Sequence, residues 1–353
     1  MKILIIEYKC IVNEKMQPYG HAERPIDDAI RICKDLGCEC SIAASEIFFR
    51  NYPDLHSFRL PNSIKVNEYD YRNIKTILKN IKVALKSAKD RETILWFTNV
   101  DWYLYLFLAT HRIHNKIIAT IYKDRYDQIK GFKSKKGYLG IILYYILLKG
   151  VKRVNLYFET FSSTRRFKNA VYLPDYIFTS FYKAHQTDKK IKRVVCPGTI
   201  NTQKDIKGLI HVFRRIDYPL LIVGGFADPL LYNELKDIIT PNITIQNRRI
   251  EYEEYCKIIA ESEYCITPYN MRRYASATSG VIREAVYLGT TVIAPRKLLT
   301  NTGFNGIAYD DIDELINSSI WDNKENTIFN DLEPYKEENV LHRIKDAFSR
   351  LLE

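Results

Sequence analysis

The chain has 353 residues, 46% hydrophobic and 27% charged, with 14 glycines and 12 prolines. This is the composition of a folded protein with full cores, and at about 150 residues per domain the length suggests two domains. Lys and Arg outnumber Asp and Glu by 53 to 42, which suits either solubility or an acidic partner such as a phosphorylated ligand or anionic lipid; no dense basic run coincides with a nucleic-acid module, so nucleic acid is set aside.

The elements alternate. Ile3 to Ile6 is a buried strand that turns acidic at Glu7, unlike a signal peptide. A polar loop holding Gly20, His21, Ala22, Glu23 and Arg24 leads to Pro25, which opens a helix closed by Gly37. Cys40 to Ala43 is a second strand, and residues 48 to 71 give no clear pattern. A helix over Ile74 to Leu85, a strand over Ile94 to Thr98, a helix over Trp102 to Thr110 and a strand over Lys116 to Tyr122 follow. The apolar run Tyr138 to Leu148 is too short for the ~20 residues of a membrane span, and it is flanked by Lys130, Lys133, Lys135 and Lys136 before it and Lys149, Lys152 and Arg153 after it. Strands at Val154 to Phe158 and Ala170 to Leu173 end the first series.

Residues 179–192 are polar and read as a linker. A second series then begins with Val194 and Val195. Helices with Ile206 to Phe213, Leu230 to Ile238 and Tyr255 to Ile259 alternate with strands at Leu220 to Val223, Ile243 to Gln246 and Tyr264 to Thr267. A further helix carries Ile312 to Ile316, and a last one Val340 to Leu352. Two β/α series with strands apolar on both faces predict an α/β protein of two doubly wound parallel-sheet domains facing a cleft, with ligands at the carboxyl ends of the strands. The expected divisions are 1–178, a linker at 179–192, a second domain at 193–335, and a terminal helix at 336–353 packing on the first domain. Seven scattered cysteines without C-x-x-C or zinc spacing predict free thiols in a reducing compartment and no metal site.

The stretch Ser276 to Pro295 concentrates the chemistry. Thr278 and Ser279 are good helix caps, Gly280 permits close approach to the backbone, and Gly289 ends the helix before a buried strand. Free N–H groups at such a helix start form an anion site. Arg283 lies where the helix dipole disfavours a cation, which a bound phosphate or simple solvation explains equally.

Several segments resemble the nucleotide-sugar domain of GT-B glycosyltransferases, most like glycosyltransferase family 4. Gly198-Thr199-Ile200 with Lys204 is similar to that family's Gly-Arg-Leu…Lys element. Leu220 to Gly225 and Glu261 to Pro268 resemble its strand ending in Gly and its helix-to-strand step ending in Pro. Ser279-Gly280, Glu284-Ala285, Leu288-Gly289 and Val292-Ile293 resemble its Gly…Glu-Ala…Gly-Pro-Val-Ile signature, and Gly20 to Arg24 its Gly-Gly-Ala-Glu-Arg loop. The likeness is best over residues 194–310. Three positions depart from the pattern: Ser276 stands where the first of two acids is usual, Thr199 where an Arg is, and His21 where a Gly is.

The resemblance implies a nucleotide-diphosphate sugar as donor, no cofactor, and retaining, metal-independent transfer to a glycan or lipid-linked acceptor in surface polysaccharide assembly. Gly20, Thr199, Lys204, Thr278, Ser279, Gly280 and Arg283 would surround the diphosphate, Glu284 would hold the ribose diol, and Arg248 and Arg249 would lie near the base. Glu284 also suits the helix dipole, and Lys204, Arg248 and Arg249 also suit solvent. His21, Asp101 and Asp124 follow strand ends of the first domain and are the candidates for catalysis or acceptor contact. The 130–153 segment is read either as core or as a contact with an anionic membrane surface, at the inner face of the plasma membrane of an otherwise cytoplasmic protein. A catalytically lapsed assembly partner and a sugar-nucleotide epimerase are the rival readings.

Overall fold

The computed structural model describes all residues except 14–15, 19–22, 50–51, 66–72, 89, 122–128, 130, 134–136, 161–168, 175, 275–277 and 323–327. The chain divides into two compact units. The first takes Met1–Thr160, the strand at Ala170–Tyr172 and the C-terminal Leu341–Glu353; the second takes Pro174–Val340.

The first unit runs β1 (Lys2–Ile6), β2 (Ile11–Val12), α1 (Arg24–Asp35), β3 (Glu39–Ala44), α2 (Glu46–Phe49), β4 (His56–Arg59), β5 (Ile64–Lys65) and α3 (Ile74–Ser87). It continues with β6 (Ile94–Phe97), α4 (Trp102–Thr110), β7 (Ile117–Ile121), α5 (Gly137–Val151), β8 (Leu156–Glu159) and β9 (Ala170–Tyr172). Seven strands form one parallel sheet in the order β4-β3-β1-β6-β7-β8-β9. Ile5 of β1 lies between Ile42 and Trp96. Strands β6 and β7 are buried throughout, which is why their sequences are continuous apolar runs. The unreadable stretch 48–71 contains β4, an edge strand of sequence His-Ser-Phe-Arg, and β5, which pairs with β2. Neither is long or apolar enough to announce itself.

The second unit runs α6 (Ser180–His185), β10 (Ile191–Pro197), α7 (Ile206–Phe213), β11 (Leu220–Val223), α8 (Pro229–Lys236), β12 (Ile243–Gln246), α9 (Tyr252–Ala260) and β13 (Ser262–Ile266). Then come α10 (Met271–Tyr274), α11 (Gly280–Tyr287), β14 (Thr291–Pro295), α12 (Arg296–Thr302) and β15 (Ile307–Tyr309). The sheet is again parallel, in the order β12-β11-β10-β13-β14-β15. The α/β reading with two parallel-sheet domains is therefore borne out. One detail differs. The stretch read as a linker holds α6, whose Phe181 ring stacks on Tyr252 at 5.7 Å. Pro295 ends β14 and caps α12 directly, since proline's fixed φ suits a helix entry. The last helix, α13 (Glu337–Leu352), buries Ile344, Ala347 and Phe348. Phe348 lies 6.1 Å from Trp96 and 6.2 Å from Phe158, ring centre to ring centre, in the first unit. All seven cysteines are free.

Helix α5 crosses α4 at Gly150, where a Cβ would stand 1.9 Å from the Tyr105 carbonyl oxygen. Only glycine allows that approach. Gly150→Ala should destabilise the first unit by about 1–3 kcal/mol through overpacking, outweighing the ~1 kcal/mol that alanine adds to a helix. A lower urea midpoint in far-UV circular dichroism is the expected result; an unchanged midpoint would mean that the helices do not touch there.

Candidate functional site

In an open parallel sheet the loops at the reversal of strand order leave a crevice at the carboxyl ends. In the second unit that reversal lies between β10 and β13. The loops leaving these strands are joined: the Asp205 N–H donates to the Pro268 carbonyl (2.6 Å), the Asn270 N–H to that of Gln203 (2.8 Å), and Lys204 bridges Tyr269.

Gly198 leaves β10 with φ 85°, a backbone conformation that favours glycine. A Cβ there would lie 3.9 Å from the Lys204 ammonium and 4.0 Å from Val281. The turn after β10, Lys204 and the first turn of α11 therefore meet at one place. Lys204 is buried, its ammonium donating to the Pro197 carbonyl at 2.7 Å and standing 5.9 Å from the Tyr269 ring centre. Thr199 is exposed on the same turn. Ser279 is the N-cap of α11, its side chain accepting from the Ile282 N–H, and both Thr278 and Ser279 are buried. Gly280 has another tight neighbour: a Cβ would stand 2.6 Å from the Tyr176 ring, so its lack of a side chain already serves packing within the unit.

Glu284 is 4% exposed. Tyr252 donates to one of its oxygens at 2.9 Å and Tyr255 to the other at 2.8 Å. Tyr252 has a single hydroxyl proton, so with that proton on Glu284 it accepts from Tyr182, 2.7 Å away. Each carboxylate oxygen accepts one phenol. Burial raises the Tyr252 phenol pKa, with the Glu284 charge next in effect, and raises that of Tyr255 for the same two reasons. Arg283 is fully buried, which excludes the reading of a solvated surface charge.

Arg248 and Arg249 are not drawn into this group. Arg248 forms a two-pronged pair with Glu254, one contact at 2.9 Å, and the Arg249 side chain is 88% exposed.

In the first unit, the end of β1 and the end of β6 carry a separate buried charge cluster. Glu7 accepts from the backbone N–H groups of Lys9 (3.1 Å) and Cys10 (3.3 Å) and from the Thr98 hydroxyl (2.8 Å). Burial pushes the Glu7 carboxyl pKa up, opposed by Thr98 and Lys9. The Lys9 ammonium lies 3.2 Å from Asp101 and donates to Asn99 at 3.2 Å. The other oxygen of Asp101 caps α4 by accepting from the Leu104 N–H. Asp101 thus serves as a helix cap through one oxygen and faces the Lys9 ammonium with the other. Gly20, His21, Asp124 and Ser276 lie outside the described residues.

No family model matches the sequence, and no curated protein matches it. Solved structures match over nearly its whole length. A UDP-forming α,α-trehalose-phosphate synthase from Burkholderia xenovorans, in complex with glucose-6-phosphate, is 11% identical, with 100% of each chain covered and a TM-score of 0.63. AviGT4, a glycosyltransferase involved in avilamycin A biosynthesis, is 12% identical over 99% of this chain and 98% of its own, TM-score 0.54. Anabaena Alr3699/HepE, in complex with UDP and glucose, is 11% identical over 99% and 94%, TM-score 0.52. The chain has the GT-B fold. At these identities the likeness is one of architecture, so the GT-B sheets are shared while the side chains of the site stand on their own geometry.

Sequence reasoning missed the tyrosines of this GT-B chain. Tyr252 and Tyr255 are three residues apart, the spacing that puts two side chains on one helical face, and that was the available signal. Glu7 and Lys9 gave none, being isolated charges just after a strand.

The tyrosines make a pH-dependent prediction. Their folded pKa values lie above the unfolded value of about 10, so the unfolded chain gives up these protons first as pH rises. The stability they contribute is intact below about pH 10 and falls above it. The wild-type urea midpoint should therefore decline more steeply above that pH than the midpoint of Tyr255→Phe. Parallel profiles would contradict the assigned contact.

Proposed function

We propose that this chain is a glycosyltransferase that moves a sugar from a nucleotide-diphosphate sugar to a glycan or lipid-linked acceptor. The observation that carries the proposal is the meeting of Gly198, the buried Lys204 and the first turn of α11 at the strand reversal of the second unit. A departing nucleoside diphosphate gains negative charge as the glycosidic bond breaks. A fixed ammonium and the free N–H groups of a helix start stabilise that charge without having to reorganise. Glu284, oriented by two phenols, would hold the ribose hydroxyls through its carboxylate. Thr199, Thr278 and Ser279 would complete the diphosphate pocket, with Arg283 supporting it from the interior.

The resemblance to glycosyltransferase family 4 adds retention of configuration and independence of a metal to the proposal. It also adds surface polysaccharide assembly, and a lipid-linked acceptor at the cytoplasmic leaflet, as the setting. Among the described residues no helix is long and apolar enough to cross a membrane, so such an acceptor would be met at the bilayer surface.

Isothermal calorimetry with UDP, GDP and ADP tests the donor site. One of the three should bind, and Lys204→Met should weaken it about 10- to 100-fold, the range for a lost hydrogen bond to a charged group. Glu284→Gln should weaken it about ten-fold while keeping the fold. Absence of binding by all three would overturn the proposal. Turnover of the matching nucleotide sugar separates an active transferase from a lapsed one, and a requirement for an acceptor separates it from an epimerase.

A further inference from the structure

Helix α5 has two faces with different fates. Gly140, Leu147, Gly150 and Val151 are buried, and Gly150 packs against the Tyr105 backbone of α4. The opposite face is apolar and open to solvent: Tyr138 and Leu139 are each 78% exposed, Tyr145 59% and Ile142 42%. Residues 137–148 contain no charge, while Lys133 precedes the helix and Lys149, Lys152 and Arg153 end and follow it. The Lys133 ammonium stands 5.6 Å from the Tyr144 ring centre. Core packing explains the buried face and leaves the outer one unexplained.

A second observation lies at the C-terminal end of the same helix. A cavity of about 230 Å³ is lined by His114, Asn115, Lys116, Lys152, Arg153 and Asn155, with Leu108, Ile113 and Ile117 behind them. No carboxylate lines it among the described residues. The Lys116 ammonium donates to the Leu351 carbonyl. Asp90 and Glu92 line a neighbouring cavity that shares His114 and Lys116. The helix dipole accounts for Lys149 at the end of α5; it does not account for cations arranged around a space large enough for a phosphate group.

We propose that the outer face of α5 lies in the headgroup region of an anionic lipid bilayer and that the basic cavity at its C-terminal end takes the phosphate of one lipid. An apolar helical face bordered by cations is the pattern of a helix resting in a membrane interface, and basic residues there are drawn to an anionic leaflet. Charge selects this occupant over a second copy of the chain: two copies, each at a formal +11, would bring the same cations together, whereas an anionic bilayer complements them. The proposal goes beyond the donor reading and names the surface at which a lipid-linked acceptor would be met. Nucleotide calorimetry involves no lipid, so the two can fail separately.

The test is co-sedimentation of the full chain with vesicles of mixed phosphatidylglycerol and phosphatidylcholine, against pure phosphatidylcholine. The wild type should pellet with the anionic vesicles only. Lys152→Ala and Arg153→Ala should each lower the partition coefficient about five-fold. Tyr138→Ser with Leu139→Ser should lower it at least about ten-fold. These side chains are exposed, so circular dichroism should remain that of the wild type. Inorganic phosphate should displace the protein no better than sodium chloride of equal ionic strength. Failure to pellet, or equal binding to both vesicle types, would overturn the proposal. Selective displacement by phosphate would instead make the cavity a site for a soluble anion. A wild-type dimer in sedimentation velocity that the double serine variant abolishes would make the face a contact between copies, and would equally overturn it.

Discussion

Burying a carboxylate costs several kcal/mol unless hydrogen bonds replace its water, and the second unit is arranged around that requirement at Glu284. Two phenols from α9 supply the bonds, a third from α6 supports one of them, and the stacked rings of Phe181, Tyr252 and Tyr255 set their direction. The consequence reaches α11. With Glu284 held by the phenols of α9, α11 is tied to that helix, and Val281 in its first turn approaches Gly198 beside Lys204. The Lys204 ammonium, held by the Pro197 carbonyl, would already be in place where negative charge develops on a departing diphosphate.

The two sheets share a grammar and differ at the point where each would bind a ligand. In the first unit the turn after β1 presents two backbone N–H groups, and the chain's own Glu7 occupies them. Lys9 is paired in the same cluster with Asp101. In the second unit the corresponding turn after β10 opens at Gly198 beside Lys204, with no acidic side chain closing on that ammonium in the described contacts. The same strand-end geometry thus carries an internal ion cluster in one unit and a candidate anion site in the other.

Much of this was legible beforehand. Strands such as Ile94–Phe97 and Leu220–Val223 are short apolar runs between turn signals, so their place in buried parallel sheets followed from pattern alone. The cap at Ser279 and the left-handed Gly289 were readable because cap chemistry is local. The strand His56–Arg59 was not, because an edge strand needs only backbone pairing on one side and its side chains are free to be polar. Nor was α6, whose helix is held by the contacts of Phe181 and Tyr182 with Tyr252, 71 and 70 positions away. The ion pair of Asp101 depends on Lys9, 92 positions earlier, and pairings at that range leave no periodic trace. Arg283 was ambiguous for the same reason: dipole and spacing say nothing about whether a side chain turns inward.

The central claim is that a nucleoside diphosphate occupies the strand reversal of the second unit, against Gly198, Lys204 and the start of α11. Hydrogen–deuterium exchange with and without the nucleotide addresses it directly. Exchange at the amides of residues 198–204 and 279–283 should slow when the nucleotide is present. Protection absent from both segments, or confined to the turn after β1 in the first unit, would contradict it.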